Sequence, residues 1–256
     1  MNFAKLQGTG NDFIIIDNRK GSFNPSDSKL INWLCNRRLG IGADGLILIN
    51  FSAEFDFEMK YYNSDGFEGT MCGNGGRCAA DFTIRHGITD KKLKFKAIDG
   101  IHEAVLEKEL IHLKMNDVNE ISMVRENYFI NTGSPHYVKF TDGLDNLDVY
   151  NEGRKIRWSE EFQPGGTNVN FAETEADGLY VRTFERGVED ETLSCGTGIT
   201  ASAIAAVLSG HFVSSPVNVR SKGGNLRVEF NHEERKITNV WLTGPATYVF
   251  EGKIEI

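Results

Sequence analysis

Two short segments of the chain place a cysteine directly before glycines: Met71-Cys72-Gly73-Asn74-Gly75 and Ser194-Cys195-Gly196-Thr197-Gly198. Where a loop enters a helix, the first turn has unpaired N–H groups and the positive end of the helix dipole, which ease thiol ionisation and favour a bound anion. Glycines there allow unusual backbone angles and close ligand approach. One such cysteine is more often structural than chemical. Two in matching positions supply two thiols and two anion cradles, which suit inversion of a stereocentre. One sulfur, as thiolate, removes a proton from carbon, and the other, as thiol, returns one to the opposite face. The negative charge on carbon would spread into a carboxylate held at the helix starts, and no pyridoxal phosphate is needed. The remaining cysteines read as core: Cys78 lies inside the helix that follows the first of these turns, beside Ala79 and Ala80, and Cys35 follows Leu34. A Cys72–Cys78 disulfide would require that helix to open. No C-x-x-C or His-x-x-x-His spacing occurs, so no structural metal site is expected. Neither glycine segment matches G-x-x-x-x-G-K-[ST] or G-x-G-x-x-G, which weakens a phosphate-binding reading.

The two cysteines belong to a longer repeat with an offset of 123 residues, from Cys72 to Cys195. At that offset Gly10-Asn11-Asp12-Phe13-Ile14-Ile15 meets Gly133-Ser134-Pro135-His136-Tyr137-Val138, and Gly42-Ala43-Asp44-Gly45-Leu46 meets Gly165-Gly166-Thr167-Asn168-Val169. Gly87 meets Gly210 and Gly100 meets Gly223. A period near half the chain means two similar lobes, placed at 1–120 and 121–256, each with one of the cysteines. In each lobe the pattern predicts strands (13–17, 137–140), a helix (26–38, 149–161), more strands (55–62, 179–184) and a second helix. The second helices run over 74–86 and 197–209 and stop at Gly87 and Gly210, as a left-handed terminus prefers. Ala201 to Leu208 are almost uniformly small or apolar, which predicts a helix buried all round beneath wrapping strands. Closing strands follow, including 225–230 and 236–242.

The chain has 256 residues, 40% hydrophobic and 25% charged, with a formal net charge of −8; it is sized for two cored lobes, and a broad nucleic-acid surface is not expected. No apolar run approaches the roughly 20 residues that span a bilayer, and Met1 to Asp17 do not read as a secretory signal, so the expected compartment is the cytoplasm.

Leu6-Gln7-Gly8-Thr9-Gly10-Asn11-Asp12-Phe13, Met71 to Cys78, Glu185-Arg186-Gly187 and Ser194 to Gly198 together resemble the diaminopimelate epimerase family, in order and across the whole chain. The resemblance implies an α+β fold of two pseudo-symmetric lobes, each a mainly antiparallel β wrap around a central helix. It implies a cofactor-free homodimer that interconverts LL- and meso-2,6-diaminopimelate on the route to lysine and peptidoglycan. It makes Cys72 and Cys195 the acid/base pair, with Gly73, Asn74, Gly196 and Thr197 as carboxylate cradles. Asn11, Asn63 and Asn168 correspond to residues that fix the distal end of the substrate. Glu185 and Arg186 are similar to a substrate-binding pair, the arginine suiting a carboxylate bidentately. His136 and Glu185 match residues that tune the cysteines. Taken alone, His136 reads equally well as structural and Arg186 as a solvated charge. Two positions depart from the family pattern: Ser134 stands where Asn is common, and the loop Val188 to Thr192 is one residue longer. The alternatives are a proline or hydroxyproline racemase, which typically carries His after the first Cys-Gly, a phenazine-type isomerase lacking the cysteine pair, and a non-catalytic binding protein.

Overall fold

The run Phe13-Ile14-Ile15-Ile16 has no polar break, as expected of a strand buried on both faces. In the computed structural model, which describes residues 1–233 and 236–256, all four side chains are buried. They form the middle of β2 (Asn11–Asp17), which pairs antiparallel with β1 (Asn2–Gly8) across the turn Thr9-Gly10. Both turn residues have positive φ, 51° and 87°, the backbone hand that fits a two-residue hairpin.

After β2 the chain enters α1 (Ser28–Cys35), started by Asp27, whose carboxylate accepts from the Leu30 N–H at 3.0 Å. Ile31, Leu34 and Cys35 pack with Ile14, Ile16, Leu46 and Leu48 on one face of the strands. β3 (Gly45–Asn50) runs parallel to β2, and β4 (Phe57–Asn63) antiparallel to β3. Their opposite face receives α2 (Gly73–Arg85), which is followed by β5 (Lys92–Ala97), β6 (Gly100–Glu107) and β7 (Leu110–Lys114). Helix α2 is buried from Gly73 to Thr83 and touches β1, β2, β3, β4 and β6, so the strands enclose it.

The second unit repeats the plan. β8 (Ile121–Val124) and β9 (Asn127–Asn131) lead into β10 (Pro135–Phe140), then α3 (Val149–Arg157), β11 (Asn168–Glu175) and β12 (Gly178–Glu185). The short β13 (Asp190–Thr192) precedes α4 (Gly196–Leu208), and β14 (Val217–Ser221), β15 (Gly224–Glu233) and β16 (Lys236–Gly244) follow. Helix α4 packs against β9, β10, β11, β12, β14 and β15. The repeat is register-true where it matters: Phe13 pairs with Gly45 in the parallel β2–β3 ladder, and His136 pairs with Asn168 in β10–β11, both 123 residues on. Gly87 and Gly210 have φ of 64° and 79°, the left-handed helix ends expected.

Four expectations change in detail. The first helix ends at Cys35, not at 38, because the Asn36 side chain accepts the N–H groups of Arg38 and Leu39 at 2.9 Å each and turns the chain out. Helix α3 likewise ends at Arg157, and 160–162 form a separate 3₁₀ turn. The hairpin glycine equivalent to Gly100 is Gly224, not Gly223: Ala97 pairs with Gly100 and Ser221 with Gly224, at φ 134° and 142°. Finally, the compact units are Met1–Leu113 with Gly244–Ile256, and Lys114–Thr243, whereas the repeat alone divides the chain at 120. The last strand, β17 (Thr247–Lys253), lies antiparallel along β1 from Asn2 to Gln7 and so joins the first unit.

Candidate active site

In the first unit Cys72 is the residue before α2, extended at φ −108° and ψ 121°. Its carbonyl accepts from the Gly76 N–H at 2.8 Å, the first bond of the helix. The N–H groups of Gly73 and Gly75, in the first turn, point away from the helix's own ladder of bonds, the geometry that favours an anion at a helix start. Cys72 Sγ lies 3.5 Å from Asn11 Oδ1, and Asn74 Nδ2 donates to that oxygen at 3.4 Å. The Asn11 amide is oriented from behind, since its Nδ2 donates to Asp44 Oδ2 at 2.7 Å, an atom that accepts when ionised. Arg37 clamps Asp12 at 2.9 and 2.7 Å and reaches Asp44 at 2.6 Å, while Lys5 pairs with Asp12 at 2.8 Å. Burial raises the Asp12 carboxyl, but hydrogen bonds and charge from Arg37 and Lys5 outweigh it and hold the group well below the usual carboxylate range.

Arg77 completes this half from beneath. It is wholly buried on α2 and donates to Asn74 Oδ1 at 3.0 Å, Thr9 Oγ1 at 3.3 Å, Gly73 O at 3.4 Å and Pro245 O at 3.3 Å. Burial draws its guanidinium down to about 10, still charged at neutral pH. With Oδ1 taken, the Asn74 amide turns its NH2 toward Asn11. Asn63 ends β4 opposite Gly45 and is exposed.

In the second unit Cys195 precedes α4 with nearly the same backbone, φ −115° and ψ 107°, and its carbonyl accepts from Ile199 N–H at 2.8 Å. Its Sγ is 3.4 Å from Thr197 Oγ1, which is 2.9 Å from His136 Nε2. Ser134 Oγ is also 2.9 Å from Nε2 and accepts from Asn168 Nδ2 at 3.3 Å. Asn168 Oδ1 accepts the backbone N–H of Arg186 at 2.8 Å. Cys195, Thr197, His136, Asn168 and Arg186 are thus brought into one chain of contacts, and Glu185 stands next to them at the end of β12. Burial pulls the His136 ring down to about 3, with the Arg186 charge acting the same way, so it is neutral at pH 7. The other two thiols are packed in the core: burial pushes Cys35 up to about 12 and raises Cys78 further.

Sequence reasoning overlooked Asp44, Arg77 and Asn170, whose Nδ2 is 3.1 Å from His136 Nδ1. Asn170 had a signal, being a polar residue two places from Asn168, on the same face of the strand and between the apolar Val169 and Phe171. Asp44 had none, because only the parallel β2–β3 ladder brings it to Asn11. Ser134 lies in this chain of contacts, beside His136.

A β wrap closed on a central helix, built twice in one chain, is a fold that solved structures share. A PhzF-family phenazine biosynthesis protein from Bacillus anthracis has a TM-score of 0.80 at 14% identity, covering 100% of this chain and 99% of its own. A hydroxyproline epimerase from Agrobacterium vitis has a TM-score of 0.72 at 14% identity, covering 99% and 90%. At these identities the likeness is of fold alone. The sequence profile described as diaminopimelate epimerase matches residues 3–119 and 128–249. The chain is 51% identical to the diaminopimelate epimerase of Flavobacterium psychrophilum (99% of this chain, 100% of the relative) and 46% identical to that of Chlorobaculum tepidum (98% and 100%). It belongs to the diaminopimelate epimerase family.

Proposed function

We propose that this chain is an amino-acid epimerase that interconverts LL- and meso-2,6-diaminopimelate without a cofactor, in the supply of lysine and peptidoglycan precursors. Inversion requires a base on one face of the α-carbon and an acid on the other, and each unit supplies one thiol. The thiolate takes the α-proton, and the electron pair of the broken C–H bond moves into the α-carboxylate. The N–H groups of Gly73, Asn74, Gly196 and Thr197 receive that charge, and the second thiol returns a proton to carbon. Asn11, Asn63 and Asn168 fix the distal amino-acid end, Glu185 and Arg186 bind the substrate, and His136 with Glu185 tune the sulfurs. The reading is carried by the twin cysteines, each the residue that precedes a buried helix, in a chain of this family. It extends to a homodimer in the cytoplasm; among the described residues no helix is long and apolar enough to cross a membrane.

The rival is a proline-type racemase, against which stand Asn74 after the first Cys-Gly and 51% identity to a diaminopimelate epimerase. Purified protein in D2O with no added cofactor is expected to exchange the α-proton of diaminopimelate and not that of proline. Cys72→Ala and Cys195→Ala are each expected to lower epimerisation by at least about a hundredfold. Near-normal epimerisation by either variant would refute the two-thiol assignment.

A further inference from the structure

The two helix starts match in backbone but not in what lies beneath them. A Cβ added at Gly75 would meet Ile47 and Phe13, and one added at Gly198 would meet Asn170 and His136. These are equivalent positions of the repeat: Phe13 and His136 are 123 residues apart, as are Ile47 and Asn170. All four side chains are wholly buried. The fold is therefore satisfied by an apolar pair, and the second unit carries a buried polar pair that costs free energy unless it is fully bonded.

That pair is fully bonded, and every member is pinned. Asn170 Nδ2 donates to the Tyr137 carbonyl at 3.3 Å, and its Oδ1 accepts from Thr183 Oγ1 at 2.9 Å. The amide therefore presents its NH2 to His136 Nδ1, which must be the bare nitrogen, so this neutral ring carries its proton on Nε2. Nε2 faces Thr197 Oγ1 and Ser134 Oγ at 2.9 Å each. Ser134 Oγ already accepts from Asn168, whose amide is held by the Arg186 N–H and the Pro135 carbonyl. The Nε2–H lies between these two hydroxyl oxygens, Thr197 Oγ1 accepts from it on the ring side, and Cys195 Sγ lies 3.4 Å from Thr197 Oγ1 on the other.

We propose that Asn170 is a positioning residue that locks His136 with its proton on Nε2, so that the Thr197 hydroxyl points its own proton at Cys195 Sγ and holds that sulfur as an acceptor. Cys72 meets the opposite arrangement, because the Asn11 atom turned toward its sulfur is itself an acceptor. The charged groups on this side are Arg186 and Glu185, both at the exit of β12; the first disfavours an imidazolium. The proposal rests on Cys195 being an acid/base group, but its test does not require turnover.

In a Cys72→Ala background, alkylation of Cys195 by iodoacetamide is followed against pH and located by peptide mass. Asn170→Ala and Thr197→Val are each expected to slow it about tenfold at pH 7 and to move the profile upward, and Thr197→Ser to restore it. The double variant His136→Phe/Asn170→Ile copies the first unit's pair, keeps the core filled and is expected to show the same slowing. Long-range 1H–15N spectra are expected to show His136 protonated on Nε2, and a tautomer mixture in Asn170→Ala. An unchanged alkylation profile in the double variant, or a His136 ring protonated on Nδ1 in the parent, overturns the proposal. Failure of the parent chain to turn over diaminopimelate would instead refute the epimerase reading and leave the alkylation result standing.

Discussion

Alanine placed at the second glycine of each Cys-Gly-x-Gly turn should have unequal effects in the two units. At Gly75 the new Cβ would lie 3.2 Å from Ile47 Cδ1, 3.4 Å from Met59 Cε and 3.5 Å from Phe13 Cζ. Two of these are the ends of flexible side chains, and a shift of a few tenths of an ångström relieves the closest. The variant also gains from alanine's better helix propensity, up to about 1 kcal/mol, so Gly75→Ala should change stability by about 1 kcal/mol or less. At Gly198 the Cβ would lie 2.2 Å from Asn170 Oδ1 and 3.3 Å from His136 Cε1. Asn170 would have to retreat by roughly 1 Å, which stretches both the Thr183 bond (2.9 Å) and the His136 bond (3.1 Å) beyond hydrogen-bonding range. Each buried group left unmet costs about 1–3 kcal/mol, and the helix gain offsets only part of the loss. Gly198→Ala is therefore expected to be destabilised by about 2–4 kcal/mol, read as a fall in urea midpoint at constant slope. Equal midpoints for the two variants would refute this reasoning, because they would mean that the Asn170 site yields as easily as the apolar one.

Two further outcomes follow from the same contacts. Asp44→Ala frees the Asn11 amide to rotate and removes one partner of Arg37, so kcat/KM is expected to fall about tenfold with a stability loss near 1 kcal/mol, Asp44 being half-exposed. Unchanged kinetics would show that Asn11 needs no anchor. For His136 the folded value near 3 lies below the unfolded value of about 6.5, so between these the unfolded chain binds the proton more readily. Its contribution to stability is complete above about pH 6.5 and is lost on acidification toward 3, at about 1.4 kcal/mol per pH unit. Urea midpoints between pH 5 and 7 should show that slope flattened in the His136→Phe/Asn170→Ile variant, and an equal slope in both proteins would count against the buried neutral ring.

What could be read in the sequence was what backbone chemistry enforces locally. Cys72 and Cys195 ahead of glycines, and Gly87 and Gly210 at left-handed ends, declare both central helices within a residue of their true limits. The burial of α4 followed from its composition. What escaped was set by partners distant in sequence. The end of α1 depends on one side chain, Asn36, competing for backbone N–H groups. Asp44 looks like a loop charge until the parallel ladder sets it beside Asn11. The difference between Phe13/Ile47 and His136/Asn170 was present in the repeat, but its meaning needs hydrogen-bond geometry, because only the pinned amide says which ring nitrogen is bare.

The pairing of β17 with β1 has a consequence for biogenesis. The first half of the chain to leave the ribosome is the last to be completed, since its opening strand waits for residues 247–253, made after the whole of Lys114–Thr243. Until then β1 offers an unpaired row of N–H and C=O groups to any neighbouring polypeptide. A translation product cut short before Thr247 would keep both thiols yet present a sticky border, and should be lost to aggregation or proteolysis.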